Sequence, residues 1–246
     1  MEPKTAERHN PSTEAATVPP PDRVRIVTTP GIRGGRPRID GHRITVEDVA
    51  IWHERLGMSP DEIERQIAEL QEQRARFRGP NRRALLDRLA GSRVALASHD
   101  DRTEAEIAEN AQDGIRISEF PVTMTAARAA KAAGMQVIAG APNIVRGGSH
   151  SGNVAAADLV RAGTVDAFAS DYVPASLVEA AFLCAADTGI ALADAVALVT
   201  ERPARMAGLT DRGRIEPGGR ADLVQVRVHE GLPVVRAVWR GGERVA

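Results

Sequence analysis

Residues 94–171 alternate short apolar runs with amphipathic stretches of helical length, and each run ends in polar chemistry. The runs at 94–97, 115–118, 136–139 and 165–170 predict strands. Between them, Thr103 opens a helix through Ile107, Ala108 and Ala111 that closes at Gly114. A second helix covers 126–133 and closes at Gly134, and a third lies near 154–161. Alternation on this scale predicts βα units around a parallel sheet, and such sheets bind ligands at the carboxyl ends of their strands. His99, Glu119, Asn143, His150 and Asp171 all fall at or just after predicted strand ends.

The flanks differ in style. Downstream, helices are expected near 175–187 and 192–200, and the closing ADLVQVRVHEGLPVVRAVWRGGERV alternates as two strands joined near Glu230 and Gly231. Upstream, Asn81 is suited to cap a helix holding Leu85, Leu86 and Leu89, with Gly91 at its end. Residues 23–66 are Arg-rich and turn-rich. Thr45 with Asp48, and Ser59 with Pro60 and Glu62, form two capping-box helix starts, and Gly57 suits the end of the first helix. Ile63, Ile67 and Leu70 share one face of the second helix, and Trp52 and His53 read as core packing. Residues 1–22, with Pro11, Pro19, Pro20 and Pro21 among polar neighbours, read as a disordered tail. The expected domains are therefore a tail at 1–22, a small helix-turn-helix-like module at 23–66, a partial barrel at 67–210 and a β segment at 211–246.

Composition narrows the classes. Aromatic residues are only 3 % against 43 % hydrophobic, so the core must be built from Ala, Val, Leu and Ile. A net charge of -1 argues against a surface that seeks nucleic acid globally. The lone Cys184 sits in an apolar run and reads as a small core residue. No run approaches the roughly 20 apolar residues of a membrane span, and the first 22 residues lack the apolar stretch of a signal peptide. A cytoplasmic location and no membrane partner are expected.

Two readings stand side by side at each polar strand end. His99 suits a metal ligand and Asp171 a ligand or general base, yet an Asp at a strand-to-helix turn also serves as a cap. Asp100 and Asp101 read as turn residues before the Thr103 helix. The loop RGGSHSGN, 146–153, is more specific. Its glycines allow close backbone approach, and Arg146, Ser149, His150, Ser151 and Asn153 supply donors suited to phosphate oxygens. His42 and the arginines at 33, 36, 38 and 43 suit either DNA phosphates or a solvated face offset by the acids from Asp40 onward.

Long motifs carry a family resemblance: ALASHDD (95–101), SEFPVTMTAARAA (118–130), GAPNIVRGGSHSGN (140–153), SDYVPASLVEAAF (170–182), ALVTERPARMAGL (197–209) and DRGRIEPGGRADLV (211–224). Over roughly 175 residues, from about Gln71 to the end, the chain resembles the C-terminal half of the PhnM family. These are alpha-D-ribose 1-methylphosphonate 5-triphosphate diphosphatases of the amidohydrolase superfamily. The resemblance implies a metal-dependent phosphonate-pathway hydrolase that converts a 5-triphosphate to a 5-phosphate and pyrophosphate. His99 would be a metal ligand, and Asp171 a metal ligand and the acceptor of the water's proton. Arg146, His150 and Asn153 would hold substrate phosphates, with Asn143 and Glu119 near them. The metal would be zinc or manganese, and the substrate a phosphorylated sugar phosphonate. Residues 29–63, TPGIRGGRPRIDGHRITVEDVAIWHERLGMSPDEI, resemble a small bacterial antitoxin-type domain of unknown function with a helix-turn-helix-like fold.

The resemblance is partial. The family's barrel has eight βα units, and about four remain here. Its early-strand His pair, bridging residue and mid-barrel His have no counterpart before His99. An α/β fold is therefore expected: a partial (β/α) barrel with short C-terminal strands, behind a small helical module. It would be a truncated fusion that needs either a second copy or a separate first barrel half to complete its site. The alternative is a DNA- or partner-binding module, 23–66, joined to an inactive barrel remnant.

Overall fold

The computed structural model describes residues 26–28, 36–39, 44–92, 94–149 and 153–246. At the front, β1 (Ile26–Val27) pairs antiparallel with β2 (Arg38–Ile39), followed by α1 (Val46–Glu54) and α2 (Pro60–Leu89). Both capping boxes form: the Thr45 hydroxyl accepts from Asp48 N–H and the Ser59 hydroxyl from Glu62 N–H, and each acid returns the contact. Gly57 sits between the helices at φ +69°, a left-handed conformation that costs a glycine little. Ile39, Ile63 and Ile67 form a small core, with Trp52 against it. Leu70, expected on the same face, is 38 % exposed. His53 lies outside this core and is exposed, its Nδ1 donating to the Met58 carbonyl at 2.7 Å.

The expected helix start at Asn81 does not occur, because α2 runs unbroken through Gly79 and Pro80. An interior proline costs a helix about 3 kcal/mol or more. Tertiary contacts on either side offset it: Arg78 pairs with Glu109 at 2.9 Å, and Arg82 reaches Asp113 at 2.5 Å and Asn110 Oδ1 at 2.8 Å.

Four parallel strands follow in the order β3 (Ala97–His99), β4 (Ile117–Glu119), β5 (Gln136–Gly140) and β6 (Ala167–Ala169). The connecting helices are α3 (Glu104–Gln112), α4 (Met124–Ala132), α5 (Ala141–Val145) and α6 (Ala156–Arg161). The first two strands start three and two residues later, respectively, than their apolar runs suggest. Val94 is 63 % exposed, and β3 begins pairing only where the Leu96 carbonyl accepts from Arg116 N–H.

The register sorts side chains by face. Ser118, Val137, Ala139 and Phe168 are buried toward the helices. His99 pairs with Glu119, and Glu119 with Ile138, on the opposite face, where all three are at least partly exposed. With few aromatics, close approach comes from small residues: Ala126, Ala127 and Ala130 of α4 are fully buried. Lys131 of α4 is pinned to Asp166 at 2.6 Å, and Asp166 also accepts from Val137 N–H, tying helix to sheet just before β6.

Beyond the sheet, α7 (Ser176–Thr188), α8 (Leu192–Ala197) and α9 (Glu201–Met206) complete the helical layer. Cys184 is buried in it, as expected. The C-terminal hairpin of β7 (Leu223–His229) and β8 (Leu232–Arg240) turns at Glu230 and Gly231, both at positive φ, and β9 (Glu243–Arg244) adds a third strand. Among the described residues, no helix is long and apolar enough to cross a membrane.

Candidate active site

The carboxyl ends of β3, β4 and β5 and the turn after β6 open onto one cleft of about 340 Å3. His99, Asn143, Arg146, Asn153 and Asp171 line it together, with Ser149 beside them. Glu119 is not among the lining residues, although its strand register places it next to His99 on the open face. His150 and Ser151 lie outside the described residues.

His99 is held from two sides. Its Nδ1 is 3.4 Å from Asp100, and its ring meets the Phe120 ring edge-on at a centroid distance of 5.3 Å. Arg146 points its Nη2 at the Tyr172 hydroxyl, 3.2 Å away. Asn143 Oδ1 accepts from Ala156 N–H at 3.0 Å, and its own carbonyl accepts from Gly148 N–H at 2.9 Å, so it orders both ends of the loop that carries Arg146.

Strain collects here. Asp100, Phe120 and Asp171 adopt left-handed φ of 60°, 54° and 51°, each just past the end of a strand. Such conformations cost a non-glycine residue about 1–3 kcal/mol and persist only where surrounding structure enforces them. At Phe120 the turn is supported by backbone: its N–H donates to the Ile138 carbonyl at 2.9 Å.

Asp101 has a different role from its neighbours. It is 4 % exposed, and its carboxylate accepts from the Ser98 and Ser118 hydroxyls, each at 2.5 Å, and from Asn110 Nδ2 at 2.8 Å. Rather than a simple turn residue, it is the knot that holds the β3 and β4 ends to α3, directly behind His99.

Phe120 and Tyr172 were not anticipated as cleft residues. The available signal was scarcity: the chain has one Tyr and four Phe, and a rare ring beside a polar strand end is conspicuous.

His99 and Asp171 offer two donors to a metal ion, whereas a catalytic zinc takes three protein ligands. Among the described residues, no three His, Cys, Asp or Glu side chains group closely enough to hold one. The described donor set does not fit a complete metal centre.

Fold and site together define an α/β protein with a parallel sheet whose strand ends gather an imidazole, a carboxylate and a guanidinium in one cleft. The profile of the amidohydrolase family matches residues 82–246, and the chain belongs to that family. The profile of a family of unknown function, DUF433, matches residues 26–77. The alpha-D-ribose 1-methylphosphonate 5-triphosphate diphosphatase of Escherichia coli is 50 % identical over 173 residues, 70 % of this chain and 46 % of that protein. An imidazolonepropionase of Streptomyces griseus is 37 % identical over 100 residues, 35 % of this chain and 26 % of that protein. The chain thus spans about half or less of the length of these relatives. Among solved structures, A. niger ochratoxinase shares the fold with a TM-score of 0.52 at 15 % identity, covering 66 % of this chain and 44 % of that one. An uncharacterized protein does so with a TM-score of 0.51 at 18 % identity, covering 67 % and 48 %.

Proposed function

We propose that this chain carries the late-strand, phosphate-gripping part of a phosphonate-pathway hydrolase site. The substrate is a ribose 1-methylphosphonate 5-triphosphate, and the products are the 5-phosphate and pyrophosphate. One observation carries the reading: the residues at three strand ends and the loop donors at Arg146 and Asn153 line a single cleft. The 50 % identity to a diphosphatase of that specificity supports the choice of substrate.

In this reading Arg146 grips a phosphate through its guanidinium, a charge-assisted and potentially bidentate contact. Asn153 and His150 add donors, and Asn143 keeps the loop in place while its amide nitrogen faces the anion. Asp171 accepts the proton of the attacking water, and Glu119 faces the open side of the sheet. His99 and Asp171 are this chain's share of a zinc or manganese site, whose remaining donors the described residues do not contain. The domain division proposed is 23–66 for the small module, 67–210 for the barrel part and 211–246 for the β segment.

Calorimetric binding of the 5-triphosphate to the full chain tests the grip. Loss of a hydrogen bond to a charged group costs about 1.5–3 kcal/mol, so Arg146→Ala should weaken binding about ten- to hundredfold. Asp171→Asn should leave binding within about threefold and lower any pyrophosphate release about 10²–10⁴-fold. Equal binding by wild type and Arg146→Ala would defeat the assignment.

A further inference from the structure

We infer that α2 is an interaction surface for a second copy of this chain, the two helices packing antiparallel across a two-fold axis level with Glu72 and Gln73. The middle of the helix lies bare. Residues 68–80 are all exposed, although α2 continues through them with Gly79 and Pro80 inside it. Short helical stretches are marginal in water by themselves, and most helical stability comes from packing one face. Of α2, the small-module core takes Ile63 and Ile67. Its ion pairs to α3 come from Arg78 and Arg82, long side chains that leave the opposite side of the helix uncovered.

The pattern along the bare stretch fits a facing helix. Leu70, Phe77 and Ala84 stand seven residues apart, in line with the buried Ile63. A seven-residue repeat keeps such positions on one stripe of a paired helix. Leu70 is 38 % and Phe77 45 % exposed. Beside the stripe lies a hollow of about 210 Å3 bounded by Glu69, Glu72, Gln73, Arg76 and Phe77. The first four are spaced i, i+3, i+4 and i+7, the four-residue hole that receives a side chain from a neighbouring helix.

Charge selects the partner and its direction. Residues 60–72 hold five acids and one arginine, whereas residues 73–89 hold six arginines and one acid. The helix dipole favours such a bias only within the first and last turns, yet Glu69, Glu72, Arg74 and Arg76 lie well inside the helix. A parallel copy would set like charge on like. An antiparallel copy sets each acidic half on a basic half: Glu69 meets Arg76 and Glu62 meets Arg83 along one flank of the stripe, and the two-fold makes each pair twice. Nothing in this pairing depends on the chemistry proposed for the cleft.

Sedimentation velocity of the full chain should show a reversible dimer at low salt that dissociates toward monomer as salt approaches about 1 M. Arg76→Glu should weaken the dimer about tenfold or more, since the two-fold turns two attractive pairs into two repulsive ones. The double exchange Glu69→Arg with Arg76→Glu should restore it. Both positions are exposed, so the melting curve at high salt should stay as in wild type. A short bifunctional thiol reagent reads the direction. A mixture of Glu69→Cys and Arg76→Cys chains should cross-link readily, and each variant alone far more slowly, because like positions lie about 10 Å apart along an antiparallel pair. Cys184 is buried and does not compete. A monomer at every concentration and salt, a dimer indifferent to the charge reversal, or equally ready cross-linking of either variant with itself would each overturn the pairing.

Discussion

Replacing Asp101 by Ala is the sharpest probe of how the strand ends are held. The substitution strips the acceptor from three donors: the hydroxyls of Ser98 and Ser118 and Asn110 Nδ2. Ser98 is partly exposed and recovers a bond to water. Ser118 is 0 % exposed and Asn110 5 %, so neither does. A buried donor left unsatisfied costs about 1–3 kcal/mol, which puts the expected loss at about 4 kcal/mol. Total stability of domains is about 5–15 kcal/mol, so the variant should remain folded with its urea midpoint clearly lowered and its m-value unchanged. By the usual scaling for chains of this size, the melting temperature should fall by roughly 8–16 °C. Asp101→Asn, which keeps one acceptor oxygen, should lose about half as much. Urea unfolding followed by far-UV circular dichroism reads both values. A loss below about 1 kcal/mol for Asp101→Ala would mean that water reaches the knot, and that the buried network does not anchor β3 and β4 to α3.

Two further outcomes are expected. A Cβ on Gly213 would lie 2.7 Å from Glu201 Cα and 3.0 Å from Thr200 O, both backbone atoms, at φ +95°; Gly213→Ala should therefore destabilise by about 3 kcal/mol, measured as a lowered urea midpoint, while the same change at Gly148, which has open space around it, should be near neutral. Burial raises the Cys184 thiol above its ordinary value of 9.0, so the stability it contributes is present below pH 9 and is lost as pH rises past that value and through the raised one. Melting curves should fall more steeply above pH 9 in wild type than in Cys184→Ala, and a thiol reagent at pH 8 should label the native chain far more slowly than the urea-unfolded chain.

What the sequence determined by itself was whatever depends on neighbours a few residues away. The two capping boxes, the left-handed glycines that end helices at 57, 114 and 134, the βα alternation and the Glu230–Gly231 hairpin turn all follow from local backbone needs, and the structure contains each of them. Family motifs in the second half of the chain are likewise contiguous, so the amidohydrolase assignment was legible there. The tertiary structure decided what depends on partners distant in sequence. Asn81 was a reasonable helix start until Arg78 and Arg82 found Glu109, Asn110 and Asp113 and carried α2 across Pro80. Asp101 and Asp100 are adjacent and chemically identical, yet it is the Asp101 carboxylate that meets two strand hydroxyls and a helix amide, because the left-handed backbone at Asp100, just past the end of β3, breaks the strand alternation and turns Asp101 inward. Convergence of His99, Arg146 and Asp171 on one cleft likewise belongs to the parallel register, since residues tens of positions apart meet only when successive strands end on the same side of one sheet.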